Sequence, residues 1–146
     1  MKNFKLYNIT IAYMLVYVVV ILGTGLWLFL LSQGLGSSDI IKTLSDIVAK
    51  PEQKSLHNFI EVATPHLFAI GILIFVVAHF MLFSTKISQK FSLVVSTLLF
   101  VLGLLNVVAY LPIILGLVVL GWIKLVSMGV FVLLFLVLLG MVAFSL

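Results

Sequence analysis

Four apolar stretches, each about as long as a helix that crosses a bilayer, constrain this chain more than any single residue does. They lie over about 9–31, 62–83, 91–111 and 122–144, and a helix of roughly 20 residues spans a hydrocarbon core of about 30 Å. Inside that core every backbone N–H and C=O must be satisfied within its own segment, so each stretch is expected to be helical. With 64% hydrophobic and 8% charged residues, the chain has too little polar surface to wrap such a core in water. The expected fold is therefore an all-α integral membrane protein, a four-transmembrane-helix bundle forming one membrane domain over residues 1–146. Lys2 and Lys5 ahead of the first stretch imitate a secretory signal. The stretch is longer than a signal core of about 7–15 residues and has no small-x-small cleavage site, so it reads as a retained span.

Absences narrow the chemistry. Without cysteine there are no disulfides, thiolate metal sites, iron–sulfur clusters or cysteine nucleophiles. The net charge of +4 rests on lysine alone, and a chain without arginine lacks the bidentate clamp that suits nucleic acid or nucleotide phosphates. No glycine-rich phosphate loop supports a nucleotide site, and no nucleophile elbow or H-E-x-x-H spacing supports a hydrolase.

Between the first two spans, residues at about 38–49 place Ile40, Ile41, Leu44, Ile47 and Val48 within an arc of about 120°, with Asp39, Lys42, Asp46 and Ala49 facing away. This predicts a short amphipathic helix, capped by Ser38 or Ser37 and closed before Pro51, lying on the membrane surface or over the mouth of the bundle. Pro51 and Glu52 suit the first turn of the following helix. In span one, Tyr13 and Tyr17 read as interfacial anchors, and Gly23, Thr24 and Gly25 as a site where a neighbouring helix approaches. The apolar connection at 111–123 predicts a half-buried interfacial turn or short helix, with Tyr110 and Trp122 at headgroup level and Lys124 snorkelling outward. Four spans put both termini on one side. The flanking lysines tie in number, but Lys2, Lys5, Lys86 and Lys90 lie closer to spans, which favours cytoplasmic termini in a bacterial cytoplasmic membrane.

All three histidines stand on the second helix. His57 and Glu61 are one turn apart on one face and read as a pair at the membrane surface. Glu61 and His79 share nearly that face but lie about 27 Å apart, while His66 and His79 are about 20 Å apart on different faces. No single metal ion bridges the long pairs. Pro65 frees the carbonyl of Glu61 and marks a place for a kink.

An ionisable residue inside a span is a functional candidate by default, and His66 and His79 qualify. Each could offer a neutral ring nitrogen to a separate haem b, with His57 as an auxiliary at one end, and so define an electron path across the membrane. This arrangement resembles membrane b-type cytochromes, whose four-helix cores carry histidines on facing helices. The resemblance implies haem b as cofactor and electron transfer as function. Spans one, three and four hold no histidine, so a second ligand would come from a homodimer partner, another subunit of a larger membrane complex, or Met14, Met128 or Met141. A second reading is an accessory or anchoring subunit without chemistry of its own. A third is a proton or divalent-metal relay through the polar cluster His57, Glu61, His66 and Asn106, the last being the one strongly polar residue expected near a bilayer centre.

Overall fold

The computed structural model describes residues 4–33, 39–51, 54–82, 86–117 and 120–145. Lys2, Ser37, Ser38 and Glu52 lie outside them. Six helices follow one another: α1 (Phe4–Ser32), α2 (Ile40–Ala49), α3 (Leu56–Leu82), α4 (Gln89–Val108), α5 (Leu111–Ile114) and α6 (Trp122–Ser145). Four of them, α1, α3, α4 and α6, are long and apolar enough to cross a membrane, and the protein is an integral membrane protein in contact with the bilayer. Successive crossings bring the end of α1, the start of α3, the end of α4 and the start of α6 to one face of the bundle, together with α2 and α5. The start of α1, the end of α3, the start of α4 and the end of α6 share the other face.

The core belongs to three of the four spans. Helices α3 and α4 pack most extensively, and α6 closes against both. Small residues at their contacts let the backbones approach, as interhelical packing in lipid requires. Gly103 is the tightest example: a Cβ there would meet Ile74 Cδ1 at 3.0 Å and Ile70 Cγ2 at 3.1 Å. Phe135, Leu138, Ile74, Met81 and Leu99 fill the centre, with the Phe131 and Phe135 rings 5.7 Å apart. Polar caps finish the ends. Ser88 Oγ accepts the Phe91 N–H at 3.4 Å at the start of α4, and Lys86 Nζ donates to the last-turn carbonyl of Phe144 at 3.1 Å, where a cation complements the helix dipole.

Helix α1 is different. It packs against α6, buries only Val18 fully among its described side chains, and leaves most of its length exposed to lipid. Tyr13 and Tyr17, one turn apart, both lie on the exposed side of α1.

The amphipathic helix forms where its apolar arc predicts it, with one change of detail. Asp39 caps it, its side chain accepting the Ile41 N–H at 3.3 Å. It packs on the protein: Thr43 and Ile47 are buried, and the Gly121 N–H donates to the Val48 carbonyl at 3.1 Å. Gly121 permits this contact, since a Cβ there would lie 2.0 Å from the Ile47 carbonyl oxygen. Ile40, Ile41 and Leu44 stay exposed, so one edge of the apolar arc sits on α6 and the rest faces the membrane interface. Helix α3 begins at Leu56 and not at Pro51, because the Ser55 hydroxyl accepts the Asn58 N–H at 3.2 Å and starts the helix there. It then runs through Pro65 without a break in its helical assignment.

Candidate functional site: a cationic pocket at one mouth of the bundle

A cavity of about 320 Å³ opens at the face that carries α2 and α5, between α1, α3, α4 and α6. Each wall follows from where a helix begins or ends. The last turns of α1 contribute Leu28, Phe29 and Ser32, with Gln33 just after them, and the first turns of α3 contribute Asn58, Phe59, Val62 and His66, with Lys54 just ahead of them. Asn106 and Val107 arrive from the end of α4, Tyr110 from the turn that follows, and Lys124 from the first turn of α6.

Lys124 is the central charge. Its side chain does not snorkel outward. The ammonium turns into the bundle and donates to both the backbone carbonyl and the side-chain Oδ1 of Asn106, the latter at 3.0 Å, and lies 5.8 Å from the centroid of the Phe29 ring. Asn106 is buried in the last turn of α4, at the depth of Lys124 and so nearer the mouth than the bilayer centre. The pair follows from the hairpin: residues equally spaced on either side of the α4–α5–α6 turn meet at one depth when the two helices run antiparallel. Tyr110, in the turn after α4, is buried and lines the cavity, while Trp122 remains half exposed.

The partners of Lys124 are neutral, and among the described residues no carboxylate lines the cavity. Lys54 adds a second ammonium, half-buried and without a hydrogen-bonded partner among the described residues. Asn58, Gln33 and Tyr110 add neutral polar groups, against apolar walls from Phe29, Phe59, Val62, Ile70 and Val107. The site therefore pairs concentrated positive charge with a largely apolar lining, the composition of a pocket that orients a ligand by one polar end.

His66 lies on this cavity, and its Nδ1 is 2.8 Å from the Val62 carbonyl. A carbonyl only accepts, so Nδ1 is the donor, and in the neutral ring Nε2 holds the lone pair. The other residues of the second helix go elsewhere. At about 100° per residue, His57, Glu61 and His79 fall on the side of α3 away from His66, and none of them lines the cavity. His57 and Glu61 are exposed and form no ion pair with each other. His79, in the last turn, stacks with Phe75 at 5.9 Å between ring centroids. The structure thus brings His66 and Asn106 to one cavity and leaves His57, Glu61 and His79 on another face. Among the described residues no group of three histidine, aspartate or glutamate side chains is placed to hold a metal ion. Among the described residues the cavity lining contains no methionine and no second histidine opposite His66.

No curated protein and no solved structure matches the chain. Residues 35–146 match the model of the Aq_1264_TM family, described as a transmembrane helical domain. The match takes in α2 to α6 and leaves α1 outside. The chain belongs to the Aq_1264_TM family of transmembrane helical domains.

Proposed function

We propose that this protein is a non-catalytic membrane subunit whose working part is the cationic pocket, and that the pocket binds an anionic group carried on an apolar body. The observation that carries the reading is the inward ammonium of Lys124, held on Asn106 in a cavity with a second lysine and, among the described residues, no carboxylate. A charge taken out of water needs compensation, and neutral carbonyls compensate an ammonium only in part. An anion completes it. Lysine acts on phosphate or carboxylate as a point charge without demanding planar geometry, so absence of arginine is no obstacle here. The apolar walls favour an amphiphile over a small hydrated ion.

The test is a titration in neutral detergent with dihexanoyl phosphatidic acid and, separately, dihexanoyl phosphatidylcholine, read by tryptophan fluorescence. Trp27 on α1 and Trp122 at the start of α6 both stand at the end of the bundle that holds the pocket. The acidic lipid should bind at least tenfold more tightly, and Lys124→Met should remove that preference. Equal binding of both lipids, unchanged by Lys124→Met, would reject the reading.

One observation favours a second reading. The hydrogen bond to Val62 leaves Nε2 of His66 as the ligating nitrogen, which suits an axial ligand of haem b. The opposite ligand would come from a second chain, because the cavity offers none. A Soret band in gently purified protein that is lost in His66→Ala would support it. A preparation that stays colourless after haem reconstitution would dismiss it.

A further inference from the structure

The pocket has a weak wall. Of the four helices around it, α3, α4 and α6 pack on one another, whereas α1 packs on α6 and makes no comparable contact with α3. Leu28 and Phe29 of α1 nevertheless face the same cavity as Val62 and His66 of α3. The seam between α1 and α3 is thus a lipid-facing edge of a cationic cavity. The wall is also pliant at its base. Gly23 and Gly25 flank Thr24, whose hydroxyl donates back to the Val20 and Ile21 carbonyls at 2.9 and 3.0 Å. Two glycines and a back-bonded threonine weaken and bend a helix. The residues of α1 that line the cavity begin at this point and continue to the helix end.

We infer that the pocket is loaded sideways from the bilayer, through the α1–α3 seam, by an anionic phospholipid whose headgroup settles between Lys124 and Lys54 while its acyl chains stay in the seam. The inference rests on the anion-binding reading above and names its ligand and route. Charge selects the occupant: basic pockets between transmembrane helices at the interface suit acidic headgroups, and apolar flanks such as Phe29 and Val62 suit the chains. The two turns of α1 beyond Gly23–Gly25 are the part that yields during loading. No atom of Gly23 needs space for this, since a Cβ added there would meet nothing within 4 Å.

The chain has no cysteine, so a pair can be placed at will. Leu28→Cys and Val62→Cys, joined by a reducible bismaleimide, tie α1 to α3. In nanodiscs holding dioleoyl phosphatidic acid, the tied protein should exchange this lipid at least tenfold more slowly than the untied protein, and reduction of the linker should restore the rate. In detergent, dihexanoyl phosphatidic acid, reaching the mouth from water, should bind Gly23→Ala, which leaves the pocket lining untouched, with unchanged affinity. Gly23→Ala, which stiffens α1 without lining the pocket, should slow dioleoyl exchange by about fivefold, the equivalent of about 1 kcal/mol of helix propensity. Unchanged exchange in both the tied protein and Gly23→Ala overturns the lateral route. Failure of either acidic lipid to bind the untied protein instead overturns the anion-binding reading itself.

Discussion

Replacing Asn106 by leucine asks whether Lys124 is held inside the bundle or merely rests there. Asn106 offers the ammonium two acceptors, its own carbonyl and the side-chain Oδ1 at 3.0 Å, and the substitution deletes only the second. Hydrogen bonds between transmembrane helices average about 0.6 and reach about 1.7 kcal/mol, and a charged donor belongs near the top of that range. Asn106→Leu should therefore cost about 1.5 kcal/mol. Lys124→Met removes the charge but strands a buried Oδ1, at a cost of about 1 kcal/mol. In the double variant neither group is left unpaired, because two apolar side chains replace the pair. The double variant should consequently be less destabilised than the sum of the singles by about 1–1.5 kcal/mol. Reversible unfolding in mixed micelles with increasing dodecyl sulfate, followed by circular dichroism, measures all four corners of the cycle. Additivity within about 0.5 kcal/mol would refute the reasoning and mean that the lysine escapes to the headgroups.

Gly121→Ala should detach α2, since the new Cβ collides with the Ile47 carbonyl and no flexible side chain can give way. Hydrogen exchange across 40–49 should rise sharply in that variant and stay unchanged in Gly129→Ala, where a Cβ meets nothing within 4 Å. Phe135→Ala, at a fully buried site, should cost about 3 kcal/mol, whereas Leu133→Ala on the lipid face should leave the unfolding midpoint within error. Single cysteines at Ser45 and Gln89, on either side of α3, should label from opposite faces of intact vesicles, and labelling from the same face would show that α3 does not cross.

Residue patterns revealed the fold more readily than the site, for physical reasons. Lipid forces each long apolar run to satisfy its backbone internally, so four helices and their order follow from run length, and the arc of Ile40, Leu44 and Ile47 sets α2 apart as amphipathic. Helix ends were less legible, because Ser55 and Pro51 both suit a start, and only the hydrogen bond to Asn58 separates them. Histidines drew attention to α3 because ionisable groups in a span are costly. That argument holds for His66, which reaches the cavity, but it applies equally to Lys124, whose place at the start of a span invited a snorkelling assignment. Position along one helix cannot tell an outward lysine from an inward one. The signal lay across helices, in the matched spacing of Asn106 and Lys124 about the α4–α6 hairpin. The burial of Tyr110 is hidden for the same reason: it sits beside an apolar connection, and the fold of that connection turns it under. Nothing local in α1 indicates that it packs so lightly, because apolar residues surround it on every side.

Lipid retention measures the central claim most directly. Protein assembled in nanodiscs with equal amounts of phosphatidylglycerol and phosphatidylcholine, then released and weighed by native mass spectrometry, reports which headgroup the pocket keeps. The account predicts one retained phosphatidylglycerol per chain, lost when Lys54 and Lys124 are both changed to methionine and kept when the exposed Lys42 and Lys90 are changed instead. Retention of both lipids in the proportion supplied, or retention of phosphatidylglycerol that survives loss of Lys54 and Lys124, would contradict it.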